Sequence, residues 1–527
     1  MEHDTLHELT PFGNPDGSRA NIDEITKGFV SFGNPAMWGG LSTPSNDLTA
    51  RVLAGRKGSG KTVYLRRLQA SAADNKSLFA DEIQQDLPTT LQIVKYCQFF
   101  PADLLTESWV VLWRRAIMLS LISHLLHNRH LKDHVTADQK ERLYKQFGDV
   151  LREYVAHVSV YSQVSEIINA HHSKQSIEKY LTKPLWAELE TVVAEILATC
   201  PPVCLYLDAV DEEFAHAPMY WLRCQKGLFY QTMKLLRDSQ LGSRLHVFIC
   251  VRDTVLSSVY QSEHQTRYRN EPHIRILSWN RKAIEYLLFE KLRLLDESYF
   301  LGGLAAGRSV ASWLGTDEIK NEERGVTEPI TQYLLRHTRL LPRDTIVLGN
   351  ALCEAIVRHK EQGNSDTHQM IRRSVATVAR VLGDEQLAIC ANEWVSSVMP
   401  AHAVQHGYSE VYTGSKEYEK GVVEDFKSLI TYMGSDRFSQ QKLQEGQKSA
   451  KKMFEGDSDP FAILWLNGLL GYVEGSKGSE RYVFHNEAGT DDFHLPSRAM
   501  YVFHPIVIDA VRIRATGNKP VVPFDGE

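Results

Sequence analysis

The sequence predicts an α/β protein in which a parallel sheet is interrupted by a long helical insertion and followed by a mainly helical C-terminal half. Short apolar runs at residues 50–55, 203–208, 245–251 and 273–277 are each followed by a helical pattern. Strands that alternate with helices indicate a parallel sheet, because parallel strands need a crossover connection. Between about residues 103 and 198 the apolar residues recur at helical spacing only. We therefore expect one α/β core with helices inserted into it.

The first predicted strand, ARVLAG at residues 50–55, runs into a glycine-rich turn and then into an amphipathic helix, KTVYLRRLQAS. In that helix Val63, Leu65 and Leu68 recur at helical spacing and are predicted to face the core. A second strand is predicted at IVKYCQFF, residues 93–100, just before the inserted helices.

Two consecutive prolines end the insertion and precede VCLYLD at residues 203–208. A continuous apolar run of this length is typical of a central parallel strand that is covered on both faces. A helix is expected at about residues 218–238. Two further strands are predicted at LHVFICV, residues 245–251, and HIRIL, residues 273–277.

The C-terminal half is predicted to be mostly helical. Its pattern is helical throughout residues 328–398, and further helices are expected at 420–434 and 459–470. Two strands, YVFHN at 482–486 and MYVFHP at 500–505, follow them. Elements in this order predict a winged helix.

Length and composition limit the class of protein. A chain of 527 residues has room for about three or four domains. Its 43% apolar and 24% charged residues are those of a globular protein, and its seven cysteines include no C-x-x-C pair, so we expect reduced core thiols. The net charge of -6 gives no overall attraction to nucleic acid or anionic membranes. With no leader pattern and no long apolar window, a cytoplasmic protein without membrane contact is expected.

Residues 55–62, GRKGSGKT, match the pattern G-x-x-x-x-G-K-[ST] in full and stand between a predicted strand and a predicted helix. In such a P-loop, glycines let the chain curl so that backbone N–H groups face phosphates, and the helix N-terminus adds its dipole. Lys61 would reach the β and γ phosphates, and Thr62 would ligate Mg²⁺. The sequence therefore predicts binding of ATP, or GTP, with Mg²⁺. The predicted binding residues are Gly55, Lys57, Gly58, Ser59, Gly60, Lys61 and Thr62.

Asp208 ends the strand VCLYLD, and Asp211 and Glu212 follow it closely. A carboxylate in this place would hold Mg²⁺ or its water shell as a Walker B residue, so Thr62 and Asp208 are the predicted metal ligands. Hydrolysis also needs a polar group that orients the attacking water; Asp211 or Glu212 is expected to serve, with Glu212 preferred. The alternative is a solvated acidic turn at the end of a strand.

Two arginines are predicted to contact the phosphates. Arg252 ends the strand LHVFICV, where its guanidinium would face the γ-phosphate, and a surface salt bridge with Asp253 is the alternative. Arg343 follows Pro342 at a predicted helix start, from which it would reach the nucleotide; an ordinary surface arginine is the alternative. The predicted catalytic residues are Asp208, Asp211, Glu212 and Arg252, with Arg343 as a further nucleotide contact.

Several segments together resemble the prokaryotic STAND-type ATPases of the AAA+ side of the P-loop class: GRKGSGKT, LYLDAVDE, a strand ending in ICVRD, ILSWNRKAIEYLLFEKL, the helix start LLPRD and a C-terminal FHP. The resemblance covers about residues 50–100 and 203–510. It implies an N-terminal segment at 1–48, a P-loop NTPase domain at 49–277 with its insertion at about 103–198, a helical lid at 278–400 and a winged-helix-like domain at 401–527.

The resemblance also implies a function. Members of this class commonly act as ATP-driven switches that oligomerise on sensing a trigger, and many bacterial ones serve in antiphage defence beside an effector. It therefore implies an ATPase that forms a homo-oligomer and, since no nuclease, deaminase or TIR-like motif is evident, acts with a separate effector protein. Ala209 stands where typical AAA+ chains have a glutamate. A pseudo-ATPase scaffold, which binds ATP without hydrolysing it, is therefore an alternative.

A second alternative is a DNA-acting AAA+ ATPase, resembling an initiator or a transposition regulator, that uses its winged helix on duplex DNA. The candidate recognition helix, SDPFAILWLNGLLGYVEG, contains acidic residues and no Lys or Arg, which favours protein packing over phosphate contact. The preceding stretch carries Lys442, Lys448, Lys451 and Lys452, which keeps binding of nucleic acid open.

Overall fold

The structure is a computed structural model of the chain. It describes residues 10–27, 29, 51–86, 88–101, 103–151, 159–208, 218–260, 265–304, 307–322, 325–363, 366–406, 408–454, 459–475, 480–485, 495–516 and 520–521.

The described residues pack into two compact units. The first unit is formed from Ser31–Lys57 and Lys61–Leu277, and the second from Met1–Val30, Gly58–Gly60 and Ser278–Glu527. The tip of the glycine-rich loop thus belongs to the second unit. The first described element is a short helix, α1 (Ile22–Lys27), in the second unit.

The first unit is an α/β sandwich whose inserted helices separate its second and third strands. Its elements are β1 (Val52–Gly55), α2 (Lys61–Ala73), β2 (Phe79–Gln84), α3 (Thr90–Gln98), α4 (Leu105–His127), a 3₁₀ turn (Lys132–His134), α5 (Ala137–Leu151), α6 (Val160–Ala170), α7 (Lys174–Leu181), α8 (Leu185–Thr199), β3 (Val203–Asp208), α9 (Pro218–Leu236), β4 (Leu245–Arg252), α10 (Asp253–Tyr260), α11 (Gln265–Tyr268) and β5 (Ile274–Ile276).

Its five strands form one parallel sheet in the order β2-β3-β4-β1-β5, which confirms the predicted α/β class with a parallel sheet. Every residue of β1 and β3 is buried. Their continuous apolar runs are typical of strands that are covered on both faces. Strand β4 is inserted between β1 and β3, so the chain returns to the middle of the sheet after β3.

The segment at residues 93–100 is a helix, so the predicted strand there is wrong. Helix α3 begins three residues earlier, because Thr89 and Gln92 form a reciprocal capping box: each side chain accepts a hydrogen bond from the other residue's backbone N–H. The edge strand beside β3 is instead β2 (Phe79–Gln84), which carries two acidic residues and had no strand prediction. A solvated edge position tolerates such a composition.

Helix α4 (Leu105–His127) of the insertion packs both on α6 and on α9. This is the one described helix that is long and apolar enough to cross a membrane, with a mean hydropathy of 1.4 over its most apolar stretch, but 83% of that stretch is buried inside the protein. Helix α4 packs closely on α9, where a Cβ added to Gly227 would lie 2.5 Å from Cβ of Trp109. It is a central helix of the first unit.

The second unit combines helices with two small antiparallel sheets. Its further elements are α12 (Arg281–Leu294), a 3₁₀ turn (Glu297–Tyr299), α13 (Val310–Leu314), β6 (Glu318–Asn321), β7 (Val326–Pro329), α14 (Ile330–Arg336), α15 (Pro342–Gln362), α16 (Thr367–His406), α17 (Tyr408–Met433), β8 (Arg437–Ser439), α18 (Gln440–Met453), α19 (Pro460–Leu466), β9 (Leu470–Glu474), β10 (Arg481–Phe484), β11 (Met500–Phe503) and α20 (Pro505–Val511).

Strands β8 to β11 form an antiparallel sheet in the order β10-β9-β11-β8. The helix predicted at 459–470 is shorter than expected, because Asn467 caps it and Gly468 turns the chain at φ 66° into β9. Much of the apparent recognition helix is therefore a strand. Helix α16 is 40 residues long and crosses residue 400, where a domain boundary was predicted. Six of its buried residues belong to the core of this sheet: Ala379, Leu387, Cys390, Ala391, Trp394 and Val395.

The first copy of the tetrapeptide Phe-Gly-Asn-Pro, at residues 12–15, packs on helix α15. Phe12 is buried against Trp313, with ring centroids 5.0 Å apart, and its backbone N–H donates to Oδ1 of Asn350 at 2.8 Å. A Cβ on Gly349 would lie 2.3 Å from the Phe12 ring, so only glycine leaves space for the ring. The second copy, at residues 32–35, lies outside the described residues.

Candidate nucleotide-binding site

The glycine-rich loop joins the end of β1 to the start of α2, as the motif predicted. Gly55 is the last residue of β1 and Lys61 the first of α2. The Lys61 side chain folds back over the loop, where Nζ donates to the carbonyl oxygens of Gly55 at 2.9 Å and of Arg56 at 3.0 Å. With Lys61 only 9% exposed, these two carbonyls replace part of the water shell of the ammonium.

Three adjacent strands bring three predicted site residues to the same edge of the sheet. Gly55 on β1 is the register partner of Arg252 on β4, and Asp208 on β3 is the partner of Cys250 on β4. Because the strands are parallel, all three residues stand at carboxyl ends. In open α/β sheets, ligands bind outside these ends.

Asp208 is held by neighbours from two other elements and is 4% exposed. The hydroxyl of Tyr161, on α6 of the insertion, donates to the Asp208 carbonyl oxygen at 3.1 Å, and Nε2 of Gln85 lies 3.4 Å from its Oδ2. Burial, and then the nearby charge of Asp208, raise the pKa of the Tyr161 hydroxyl well above its usual range. Tyr161 therefore remains a hydrogen-bond donor at any physiological pH.

Arg252 is half-buried and its guanidinium lies over the ring of Trp221 on α9, with the Cζ atom 5.4 Å from the ring centroid. The alternative prediction paired Arg252 with Asp253. The structure pairs Asp253 with Arg56 of the loop instead, with 3.5 Å between Oδ2 and Nε. Arg252 thus lies at the predicted sheet edge, packed on an aromatic ring that restricts its rotamers.

The tip of the loop, Gly58–Gly60, packs on residues of the second unit. The indole Nε1 of Trp279 donates to the Ser59 carbonyl oxygen at 2.9 Å, and the Arg343 backbone N–H donates to the Gly58 carbonyl oxygen at 3.3 Å. Gly58 and Gly60 both have φ 89°, a conformation that residues with a Cβ rarely adopt. Both glycines are thus required by the backbone of the loop.

Arg343 stands at the start of α15, directly after Pro342, as predicted. Its guanidinium, 30% exposed, lies 3.8 Å from the Glu385 carboxylate on α16. Contact between this guanidinium and a nucleotide stays a prediction.

The remaining predicted site residues are Thr62, Lys57, Asp211 and Glu212. Thr62 is half-buried in the first turn of α2, and Lys57 is half-buried in the loop. Asp211 and Glu212, together with Ala209, lie outside the described residues.

Three contacts of the site had no prediction: Gln85, Tyr161 and Trp279. Gln85 follows the unpredicted strand β2, and Tyr161 belongs to the insertion, so both reach Asp208 through long-range packing. Trp279 lies in the segment ILSWN that follows β5, and its proximity to a predicted strand end was the one available signal.

The residues present fit a phosphate group. The Ser59 side chain is fully buried, yet its Oγ has no hydrogen-bond partner among the described residues, and an unpaired buried hydroxyl is costly. The donors of Ser59 and Lys61 are those a phosphate would engage. Mg²⁺ beside a triphosphate needs only one or two protein oxygens, which Thr62 and Asp208 offer. No cluster of three or more His, Cys, Asp or Glu was found in the described parts of the chain.

Comparisons of the chain with models of protein families, with curated proteins and with solved structures found no match.

Proposed function

We propose that this protein is an ATP-binding and ATP-hydrolysing switch of the STAND or AAA+ kind, which oligomerises or engages a separate effector protein when ATP binds. The observation that carries the proposal is the meeting of three adjacent strand ends, which bear the P-loop, Arg252 and Asp208, at one edge of a parallel sheet. A phosphate-binding loop, a guanidinium and a carboxylate are the groups that phosphoryl transfer requires.

Each of these side chains has a proposed task. Lys61 exchanges its two carbonyl acceptors for phosphate oxygens, so that its buried ammonium remains hydrogen-bonded throughout. Ser59 donates its unpaired hydroxyl. Arg252 contacts the γ-phosphate, and packing on Trp221 limits the rotamers of its side chain. Thr62 and Asp208 would hold Mg²⁺, which would supply positive charge to the phosphate oxygens when bound.

The water-orienting residue is proposed to be Glu212, or else Asp211, which follow the end of β3 in the sequence. If neither acts in this way, the protein binds ATP without efficient turnover and is a pseudo-ATPase scaffold, a possibility raised by Ala209. Phosphate release, measured with and without a partner protein, separates the two forms of the proposal.

The lid was predicted at residues 278–400, but the later part of α16 packs in the core of the C-terminal sheet, so we propose a lid that ends before Ala379 and a winged helix formed by the later elements. In support, the C-terminal elements follow the order helix α17, strand β8, helices α18 and α19, and then strands β9 to β11. Strands β8 and β9 both pair with β11, so the strand nearest the C-terminus lies between them. The defence setting rests on the resemblance in sequence alone.

An exposed apolar pair supports assembly with a partner. Tyr286 and Phe289 on α12 are 52% and 50% exposed and, three residues apart, lie on the same face of the helix. Neighbouring exposed aromatic residues are common at protein interfaces.

The test is the particle mass in ADP·Mg²⁺ and in ATP·Mg²⁺, measured with and without the product of any adjacent reading frame. For the natural chain we expect a larger particle in ATP. Lys61→Ala should abolish the change and weaken ATP binding by about 10²-fold, because it removes the ammonium that contacts the phosphates.

Lys76→Ala, an exposed lysine beyond α2, is the matched control and should change neither property. If Lys61→Ala binds ATP weakly but assembles as before, assembly does not depend on nucleotide binding. If Lys61→Ala bound ATP normally, the nucleotide site itself would be wrong.

A DNA-acting ATPase is favoured by one observation. Helix α18 exposes Lys448, Lys451 and Lys452, none of which has an ion pair among the described residues. Helix α19, by contrast, buries five of its seven residues and has no Lys or Arg. If DNA is the partner, changing the three lysines to glutamine should weaken duplex binding and lower its salt dependence. Unchanged binding would exclude this surface.

A further inference from the structure

A cavity of about 310 Å³ opens within the second unit, and none of its lining residues belongs to the candidate nucleotide site. Its walls come from the end of β6, helix α14, the first turns of α16, and helix α20 with Ala515 and Val521 beyond it. The volume is at the lower end of the range for small-molecule sites.

Arg336 is the most buried charged group in this wall, with a side chain that is 8% exposed. Its Nη2 donates to Oε1 of Glu328 at 3.0 Å, and its guanidinium packs over the ring of Tyr333. Its Nε is buried and has no hydrogen-bond partner among the described residues. A buried N–H donor of a guanidinium is unfavourable unless an acceptor completes it.

A second guanidinium with unused donors lines the same cavity. Arg373, on the first turns of α16, is exposed and has no ion pair among the described residues. Its neighbour Arg372 is engaged by Glu322, at 3.1 Å between Nη2 and Oε1. Arg336 is likewise paired with Glu328, so among the described residues of the wall Arg373 is the arginine without a carboxylate partner, and Arg336 contributes its unengaged Nε donor.

The opposite part of the wall offers acceptors. Nδ1 of His337 lies 2.7 Å from the Tyr333 carbonyl oxygen, so Nδ1 carries the proton and Nε2 is an acceptor. Burial lowers the pKa of His337 well below its usual value, with a smaller effect from Arg336, which keeps the ring neutral. Nε2 faces Oδ2 of Asp509 at 3.6 Å. Two acceptors at this separation can share a ligand that donates to both.

We propose that this cavity binds a small hydroxylated organic anion, a sugar phosphate or a sugar acid. Its phosphate or carboxylate contacts Arg336 and Arg373, and its hydroxyl groups donate to Asp509 and His337. The apolar side of the cavity, formed by residues such as Pro505 and Ile508, suits the carbon skeleton of the ligand. Because the wall includes α14, α16 and α20, a bound ligand holds three helices of the second unit together.

The test is calorimetric titration of the full chain, saturated with ADP·Mg²⁺ so that a phosphate does not enter the P-loop. The probes are ribose 5-phosphate and gluconate, with ribose as the uncharged control. We expect saturable binding of at least one anion and none of ribose. Arg373→Gln should weaken the binding by about tenfold or more, because it removes a charge-assisted contact. The substitution leaves no unpaired charge in the protein interior, since Arg373 is exposed.

Arg380→Gln, seven residues along the same helix and outside the cavity wall, is the matched control and should bind as the natural chain does. Arg336→Lys keeps a charge beside Glu328 but loses the fork of donors, and should also weaken binding. Tighter binding of ribose 5-phosphate identifies a phosphate site, and tighter binding of gluconate a carboxylate site. Binding of neither anion, or equal weakening by Arg380→Gln, would overturn the proposal.

Discussion

Gly55 and Arg252 are register partners on neighbouring parallel strands, so the first glycine of the P-loop and the arginine that ends β4 stand side by side at one edge of the sheet. They are 197 residues apart in the sequence and share no local motif. The backbone ladder fixes the positions of both residues, and Trp221 restricts the direction of the Arg252 side chain.

From this pairing we expect Arg252 to affect turnover more than binding. Arg252→Ala should lower the rate of ATP hydrolysis by about 10²-fold, the usual effect of removing one donor that stabilises the transferring group. Arg252→Lys should recover part of the rate, because it keeps the charge and loses the planar fork. Single-turnover hydrolysis and ATP titration test the two effects separately. A loss of binding equal to the loss of rate would contradict a role in turnover.

Asp208 should act through the metal. Asp208→Asn keeps the size of the side chain and removes its charge, so we expect Mg²⁺ to tighten ATP binding much less in this variant than in the natural chain. The measurement is ATP affinity in Mg²⁺ and in EDTA. Asp253→Asn, whose carboxylate contacts Arg56, is the matched acidic control. If both variants respond alike to Mg²⁺, Asp208 is not a ligand.

The two loop glycines provide a matched pair. Each has φ 89°, so alanine at either position should cost about 1 to 2 kcal/mol in backbone strain. A Cβ on Gly58 would also lie 3.0 Å from Cβ of Arg343, whereas a Cβ on Gly60 meets nothing within 4 Å. Thermal unfolding should therefore show Gly58→Ala to be the more destabilised variant. Equal midpoints would mean that Arg343 moves aside without cost.

His246 should make the first unit sensitive to acid. The side chain is buried and its Nδ1 accepts from the Arg51 guanidinium at 2.9 Å. Burial, and then the charge of Arg51, lower the pKa of His246 to about 3. The folded state therefore binds fewer protons than the unfolded state between pH 6.5 and about 3, and stability should fall as the pH falls through that window, by at most about 1.4 kcal/mol per pH unit.

Urea unfolding between pH 7 and pH 4 tests this expectation. His246→Asn keeps an acceptor for Arg51 but cannot be protonated, so its stability should depend less on pH than that of the natural chain. His134→Asn, at an exposed histidine, is the matched control. Identical slopes for His246→Asn and the natural chain would contradict the assignment.

The sequence was informative where a signal is local. The strand, loop and helix around residues 55–62 follow from one motif, and the buried strand before Asp208 follows from its apolar run. At residues 93–100 the apolar run favoured a strand, and that prediction was wrong because Thr89 and Gln92 cap a helix there. Strand β2 was missed because an edge strand needs no continuous apolar face.

Contacts between distant segments were not predictable. Tyr161 reaches Asp208 from an inserted helix, and Trp279 reaches Ser59 from beyond β5. No spacing in the sequence encodes either contact, since each depends on the order of strands in the sheet. The cavity around Arg336 was not predicted for the same reason, because its residues come from four separate segments. In addition, an arginine in a helical pattern ordinarily indicates a solvated face.

The position of β1 in the sheet has a consequence for folding during synthesis on the ribosome. Val52 pairs with Ile249 on one side and with Ile274 on the other, so both neighbours of the strand are made about 200 residues after it. During synthesis β1 has no neighbouring strand to pair with until the inserted helices are complete. A nascent chain that stops before residue 245 has the full loop motif but neither neighbouring strand of β1, so we expect nucleotide binding to arise late, once β4 and β5 have emerged.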